Sequence, residues 1–96
     1  MENAVGPILR MSDEVEPVIE AIRDDNPDRK IEVIDRGAYV RVQADGYLVV
    51  TEESLRRHLG SNFQLRSLEV MLTAFAGRIQ TSSDRIEWRL TDSRVS

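Results

Sequence analysis

Apolar residues recur along this chain in two rhythms, and the switches between them mark out its elements. Val5-Gly-Pro-Ile-Leu-Arg10 is a short apolar run whose Pro7 has no N–H to give to a ladder, which predicts an edge strand or an ordered N-terminal arm. Val15, Val18, Ile19 and Ile22 then repeat at helical spacing, with Asp13 and Glu16 set like a capping pair. Pro17 implies a loose first turn or a regular helix that begins at Pro17. Pro27 takes Asn26 out of helical geometry, so Asp24 to Asp28 is the connecting turn.

Ile31 to Asp35 and Ala38 to Ala44 alternate with period two across Arg36-Gly37, a hairpin with Ile31, Val33, Ala38, Val40 and Val42 inward and Tyr39, Arg41 and Gln43 outward. Asp45-Gly46 is a hairpin signal, and Tyr47 to Thr51 continues the sheet as its next strand. Thr51 caps a short helix with Glu52 and Glu53 in its first turn, Arg56, Arg57 and His58 in its last, and Gly60 beyond. A further helix follows Phe63, with Leu65, Leu68, Leu72 and Phe75 on one face and Gly77 as terminator. Arg78–Thr81 and Arg85–Leu90 pair across Ser82-Ser-Asp84, with Ile86, Trp88 and Leu90 on one side. Trp88 and Phe75 sit at core spacing and read as packing. The sum is an α+β fold of two β-α-β-β-like halves, forming a mostly antiparallel sheet packed with about three helices. Residues 1–96 form a single domain with residues 1–4 and 91–96 as flexible ends.

Composition narrows the function by exclusion. The chain has no cysteine and one histidine, His58, and it lacks Gly-rich phosphate loops and paired-histidine metal motifs, so acid, base, nucleophile and ligand sets cannot be assembled. His58 reads as a helix C-terminal residue that meets the dipole. Net charge is −4, and residues 1–35 hold ten acidic against four basic side chains. Arg56, Arg57, Arg66, Arg85 and Arg89 are interleaved with acidic residues rather than aromatics, which speaks against nucleic acid. No apolar run is long enough to cross a membrane and the start lacks the regions of a signal peptide, so a cytoplasmic location is expected. A protein with this much ordered polar punctuation and so little chemistry acts on another protein.

The segments Val5-Gly-Pro-Ile8, Glu16-Pro-Val-Ile-Glu20, Asp25-Asn-Pro27, Asp35-Arg36, Ala38-Tyr-Val-Arg41 and Phe75-Ala-Gly-Arg-Ile-Gln80 resemble, in order and spacing, the small catalytic effector proteins of bacterial multicomponent soluble diiron monooxygenases, nearest the toluene monooxygenase branch. The resemblance runs from about Val5 to Leu90 and lacks the long N-terminal extension of the methane monooxygenase relatives. It implies a protein without cofactor or metal that binds the diiron hydroxylase and tunes O2 activation, coupling and active-site access, in possible competition with a ferredoxin or reductase. For the free protein a monomer is the simplest expectation. A diiron carboxylate site needs Glu-x-x-His pairs, and His58 lies in none, so the iron belongs to the partner.

Candidate hydroxylase contacts are Asn3, Val5 and Pro7 in an arm that orders on docking, Arg36 beside the Gly37 turn, and outward Tyr39 and Arg41. The plainer readings are a mobile terminus, a turn residue and singly exposed side chains. Two other classes remain: a small-molecule-sensing βαββ regulatory domain using its sheet or a dimer seam, and a small hydrolase holding an anion on Arg and Asn.

Overall fold

The computed structural model describes residues 3–90, so the expected frayed tail from Thr91 onward lies outside the described residues. The elements are β1 (Ala4–Arg10), α1 (Val15–Asp25), β2 (Glu32–Asp35), β3 (Tyr39–Asp45), β4 (Tyr47–Thr51), α2 (Glu52–Leu59), α3 (Leu65–Met71), β5 (Leu72–Ala76), β6 (Arg78–Thr81) and β7 (Arg85–Arg89). They build two antiparallel sheets, ordered β2-β3-β1-β5 and β4-β7-β6. Val5, Leu9, Val18, Ile22, Val42, Leu48, Val50, Leu55, Leu68, Ile86 and Trp88 are fully buried in one core.

The α+β class holds, and several local expectations are corrected. β1 is an interior strand, not an edge: it pairs with β3 at Ala4–Val5 and Ile8–Arg10, the ladder skips Gly6 and Pro7, and β5 flanks the other side. Skipping removes the need for a donor at Pro7. Gly6 (φ +144°) passes so close to β3 that a Cβ there would sit 2.1 Å from the Val42 carbonyl oxygen. Next, the third helix pattern breaks at Met71, and Leu72–Ala76 becomes β5 because β1 has an open edge to satisfy. The extra residue Thr73 makes a bulge there, its Oγ1 donating to the Ile8 carbonyl at 3.0 Å. Phe75 is therefore on an edge strand and 42% exposed rather than packed.

The Asp45-Gly46 turn does not make a hairpin. It hands the chain from one sheet to the other, with the Gly46 N–H donating to the Asn3 carbonyl, and β4 pairs with β7 instead. Within the first hairpin, Val33 has the core phase opposite Val42 but is 37% exposed because β2 is the sheet edge. Ala38 is exposed in the turn. Gln43 is buried, its amide donating to the Glu32 carboxylate across the strand pair. Leu90, expected beside Ile86 and Trp88, is just past β7 and exposed.

Helix α1 begins at Val15 without an Asp13–Glu16 box; Ser12 Oγ accepts from the Glu14 N–H at 3.2 Å. The first helical bond is Val18 N–H to Glu14 C=O, so Pro17 sits among donors that have no partner in any helix and costs nothing. At the other end Asn26 is buried. Its Nδ2 donates to the carbonyls of Ile22 and Val49, both at 2.6 Å, and its Oδ1 accepts from the Val49 N–H at 3.2 Å. The amide thus behaves like a neighbouring strand for β4. Asp25 beside it accepts from Thr51 N–H (2.7 Å), Thr51 Oγ1 (3.1 Å) and Ser54 Oγ (2.7 Å), placing a carboxylate at the N-terminus of α2, which Thr51 caps as expected.

Replacing Asn26→Ala strands two buried carbonyls and one N–H, and urea unfolding should register a loss of about 2–5 kcal/mol; a loss below about 1 kcal/mol would show the stitch to be dispensable. Gly6→Ala forces β1 away from β3, and the expected outcome is a larger loss, or no folded protein by circular dichroism.

Candidate docking surface

The four-stranded sheet has one face in the core and one without a covering helix. Along β3, Val40, Val42 and Ala44 turn inward while Tyr39 and Arg41 take the other face. Strand register extends that face sideways: Arg41 lies opposite Ile34 on β2 and opposite Ile8 on β1, and Ile8 opposite Ala74 on β5. Ile34 and Ile8 are half-buried, Arg41 and Ala74 exposed. One row along, Tyr39, 42% exposed, stands opposite Arg10. The result is an apolar row crossed by a guanidinium and flanked by a phenol and a second guanidinium. Arg36 projects from the β2–β3 turn, whose backbone is closed by Arg36 N–H to Tyr39 C=O and by Gly37 N–H to Asp35 Oδ1. Among the described residues Arg10, Arg36 and Arg41 make no ion pair with a carboxylate.

Of the six sequence candidates, Arg36, Tyr39 and Arg41 share this face and its turn. Asn3 is exposed but sits at the other end of β1, ~20 Å away at 3.3 Å per residue. Val5 and Pro7 are fully buried, because what reads as an arm is already a strand held on both sides. Ile8, Arg10, Ile34 and Ala74 were not singled out. The alternation of β1 against Val5 and Leu9 is the signal that marks Ile8 and Arg10; Ala74 has none, because its segment reads as helix.

Other polar clusters serve the fold. His58 Nε2 and Asp24 Oδ2 are 2.6 Å apart and tie α2 to α1. A polar recess of about 320 Å³ lies between α2, α3 and the β6–β7 turn, but Glu52 in its wall already accepts from the Leu65 N–H and pairs with Arg56. No group of three or more potential metal ligands occurs among the described residues, and no helix among them is long and apolar enough to cross a membrane. On the second sheet, Tyr47 lies between Arg29 and Arg89, whose guanidinium carbons are 5.2 and 4.8 Å from its ring centroid. Its hydroxyl donates to Glu87 Oε2 at 3.2 Å. Burial, then the Glu87 charge and hydrogen bond, raise the phenol above its ordinary 10.0, against the opposing Arg89 and Arg85.

The described residues thus form an α+β body with one uncovered sheet face that carries apolar and cationic side chains. Residues 3–89 match the MmoB/DmpM family, and the chain belongs to it. It is 38% identical, over 91% of its length and 86% of the relative's, to the effector subunit of the alkene monooxygenase system of Xanthobacter autotrophicus (strain ATCC BAA-1158 / Py2). Its fold is similar to chains in two structures of a phenol hydroxylase–regulatory protein complex. One superposes with a TM-score of 0.77 at 23% identity, covering 92% of this chain and 99% of that one. The other gives 0.70 at 25%, covering 88% and 99%. Regulatory protein B of soluble methane monooxygenase follows at 0.67 and 25%, covering 91% of this chain and 64% of that one. The chain is thus an effector-type regulatory subunit of a multicomponent monooxygenase, not the component that carries the oxidation.

Because the folded phenol of Tyr47 holds its proton more tightly than the unfolded one, its contribution is complete below about pH 10 and is lost as pH rises through the folded value. Denaturation midpoints of the wild type should therefore fall more steeply above about pH 10 than those of Tyr47→Phe; parallel curves would contradict this.

Proposed function

We propose that this chain binds the diiron hydroxylase component of its monooxygenase through the open face of the four-stranded sheet, with Tyr39, Arg41, Arg10 and the Arg36 turn as the principal contacts. The observation that carries the reading is the row Ile34–Arg41–Ile8–Ala74 beside Tyr39, an apolar and cationic surface left uncovered on a chain of net charge −4. Tyr and Arg are the residue types that most often dominate binding energy at protein interfaces. The similarity to an alkene monooxygenase effector subunit, and to chains from complexes that pair a phenol hydroxylase with a regulatory protein, supports the choice of partner.

Docking acts by differential affinity for resting and active hydroxylase conformations, tuning O2 activation, coupling and access to the active site of a hydrocarbon-oxidising enzyme. Coupling energies between sites are typically about 1–3 kcal/mol, and every ~1.4 kcal/mol removed from a barrier is a tenfold gain in rate. Neither a cofactor nor a metal on this chain enters the scheme. A ferredoxin or reductase that uses the same hydroxylase surface would compete, and the free protein is a cytoplasmic monomer.

The test is steady-state turnover of the reduced hydroxylase with and without a stoichiometric amount of this protein. Product formed per electron consumed should rise. Tyr39→Ala and Arg41→Ala should each weaken binding by about 5- to 30-fold while leaving the melting temperature of the free protein unchanged. Unchanged turnover together with no detectable complex would refute the proposal.

A further inference from the structure

A second surface stands out on charge. Tyr47 on β4 lies opposite Arg89 on β7, and Arg89 opposite Arg78 on β6. Their neighbours Leu48, Trp88 and Ile79 turn toward the core, so Tyr47, Arg89 and Arg78 share the outward face of the three-stranded sheet. Arg29, from the turn after α1, closes over the same phenol ring and is anchored by Nη1–H donating to the Asp45 carbonyl at 2.8 Å. Two exposed guanidiniums thus flank one tyrosine, and a third, Arg78, lies beyond Arg89 on the next strand. The carboxylate beside Arg89, Glu87, is already engaged: it accepts from the Tyr47 hydroxyl and from Arg89 Nη2 at 2.9 Å, and its side chain is 14% exposed. Arg78 has no carboxylate partner among the described residues.

Two like charges directly opposite each other on neighbouring strands destabilise a sheet. Here the repulsion between Arg78 and Arg89 is tolerated on a chain with an excess of acidic residues, where a carboxylate at either position would relieve it. Contact with the Tyr47 ring orients Arg29 and Arg89, and the N–H groups not given to Asp45 and Glu87 remain for carboxylate oxygens of a partner. Three arginines in so acidic a chain are too few for a phosphate backbone, which demands a broad basic footprint.

We propose that the Arg29–Tyr47–Arg89–Arg78 cluster is a second docking point, which receives an Asp- and Glu-rich segment of the hydroxylase. The proposal rests on the hydroxylase-binding reading given above. The cluster lies at the Ala4 end of β1, beyond the Gly46 N–H to Asn3 C=O bond, whereas Tyr39 lies at the Arg10 end. It therefore adds a contact separate from the open sheet face. Carboxylates from the partner turn the Arg78–Arg89 repulsion into attraction, so an arrangement that weakens the free protein strengthens the complex and accelerates encounter.

The experiment compares wild type, Arg78→Glu, Arg29→Gln and Tyr39→Ala for thermal melting of the free protein, and for association with purified hydroxylase across a salt series. Arg78→Glu should raise the melting temperature by about 1–5 °C, because it supplies Arg89 with a cross-strand partner. The same variant should slow association about tenfold at low salt and flatten its salt dependence. Arg29→Gln, in a surface turn, should show the same kinetic loss to a smaller degree, and it keeps the test decisive if Arg78→Glu folds poorly. Unchanged association rates and salt dependence in both arginine variants, with Tyr39→Ala still weakening binding, would overturn the second docking point and leave the first reading intact. Failure of the wild type to bind hydroxylase would overturn both.

Discussion

The architecture depends on one buried amide. Asn26 ends α1 and simultaneously completes the free edge of β4, satisfying Val49 at both its N–H and its C=O. Because Asp25 next to it holds Thr51 and Ser54, two consecutive residues tie the C-terminus of one helix to a strand and to the start of the next helix. Leaving those backbone groups unpaired in the core would cost more than most single contacts contribute. The consequence is positional: α1 and α2 are drawn to the β4 side, and one face of the β2-β3-β1-β5 sheet goes without a helical cover.

Sequence reading succeeded where local chemistry decides the outcome. The α1 register follows from Val15, Val18, Ile19 and Ile22, its end from Pro27, and the α2 start from Thr51, since these depend on neighbours within one turn. It failed where a distant partner decides. Leu65, Leu68, Leu72 and Phe75 keep helical spacing past Met71, yet the unpaired edge of β1 claims Leu72–Ala76 as a strand. Asp45-Gly46 does form a tight turn, but the strands on either side belong to different sheets, because β4 finds β7. Pro7 has the chemistry of an edge residue and an interior position, reconciled by a gap in the ladder that no local pattern announces. The open sheet face proposed for docking was half legible: Tyr39 and Arg41 follow from alternation, while Ala74, and the burial of Val5 and Pro7, require the strand order.

A regulatory subunit works through recognition of its partner, and this molecule divides its surface unevenly. Acidic side chains are concentrated toward the N-terminal third, while exposed arginines mark the outward faces of the two sheets. The core, with Trp88 and its aliphatic neighbours excluded from solvent, keeps those faces in fixed register. Preorganisation of this kind lowers the entropy lost on association, so a larger share of the contact energy remains to distinguish one partner conformation from another.

The seating of β5 beside β1 also governs how the molecule is made. The strand that closes the edge of the first sheet comes from the far half of the polypeptide, next to Gly77, and β7, which completes β4, comes later still. Neither sheet can be finished on the ribosome until these late strands have emerged, so folding is a cooperative event that waits on long-range pairing and is slower than that of helical bundles rich in local contacts.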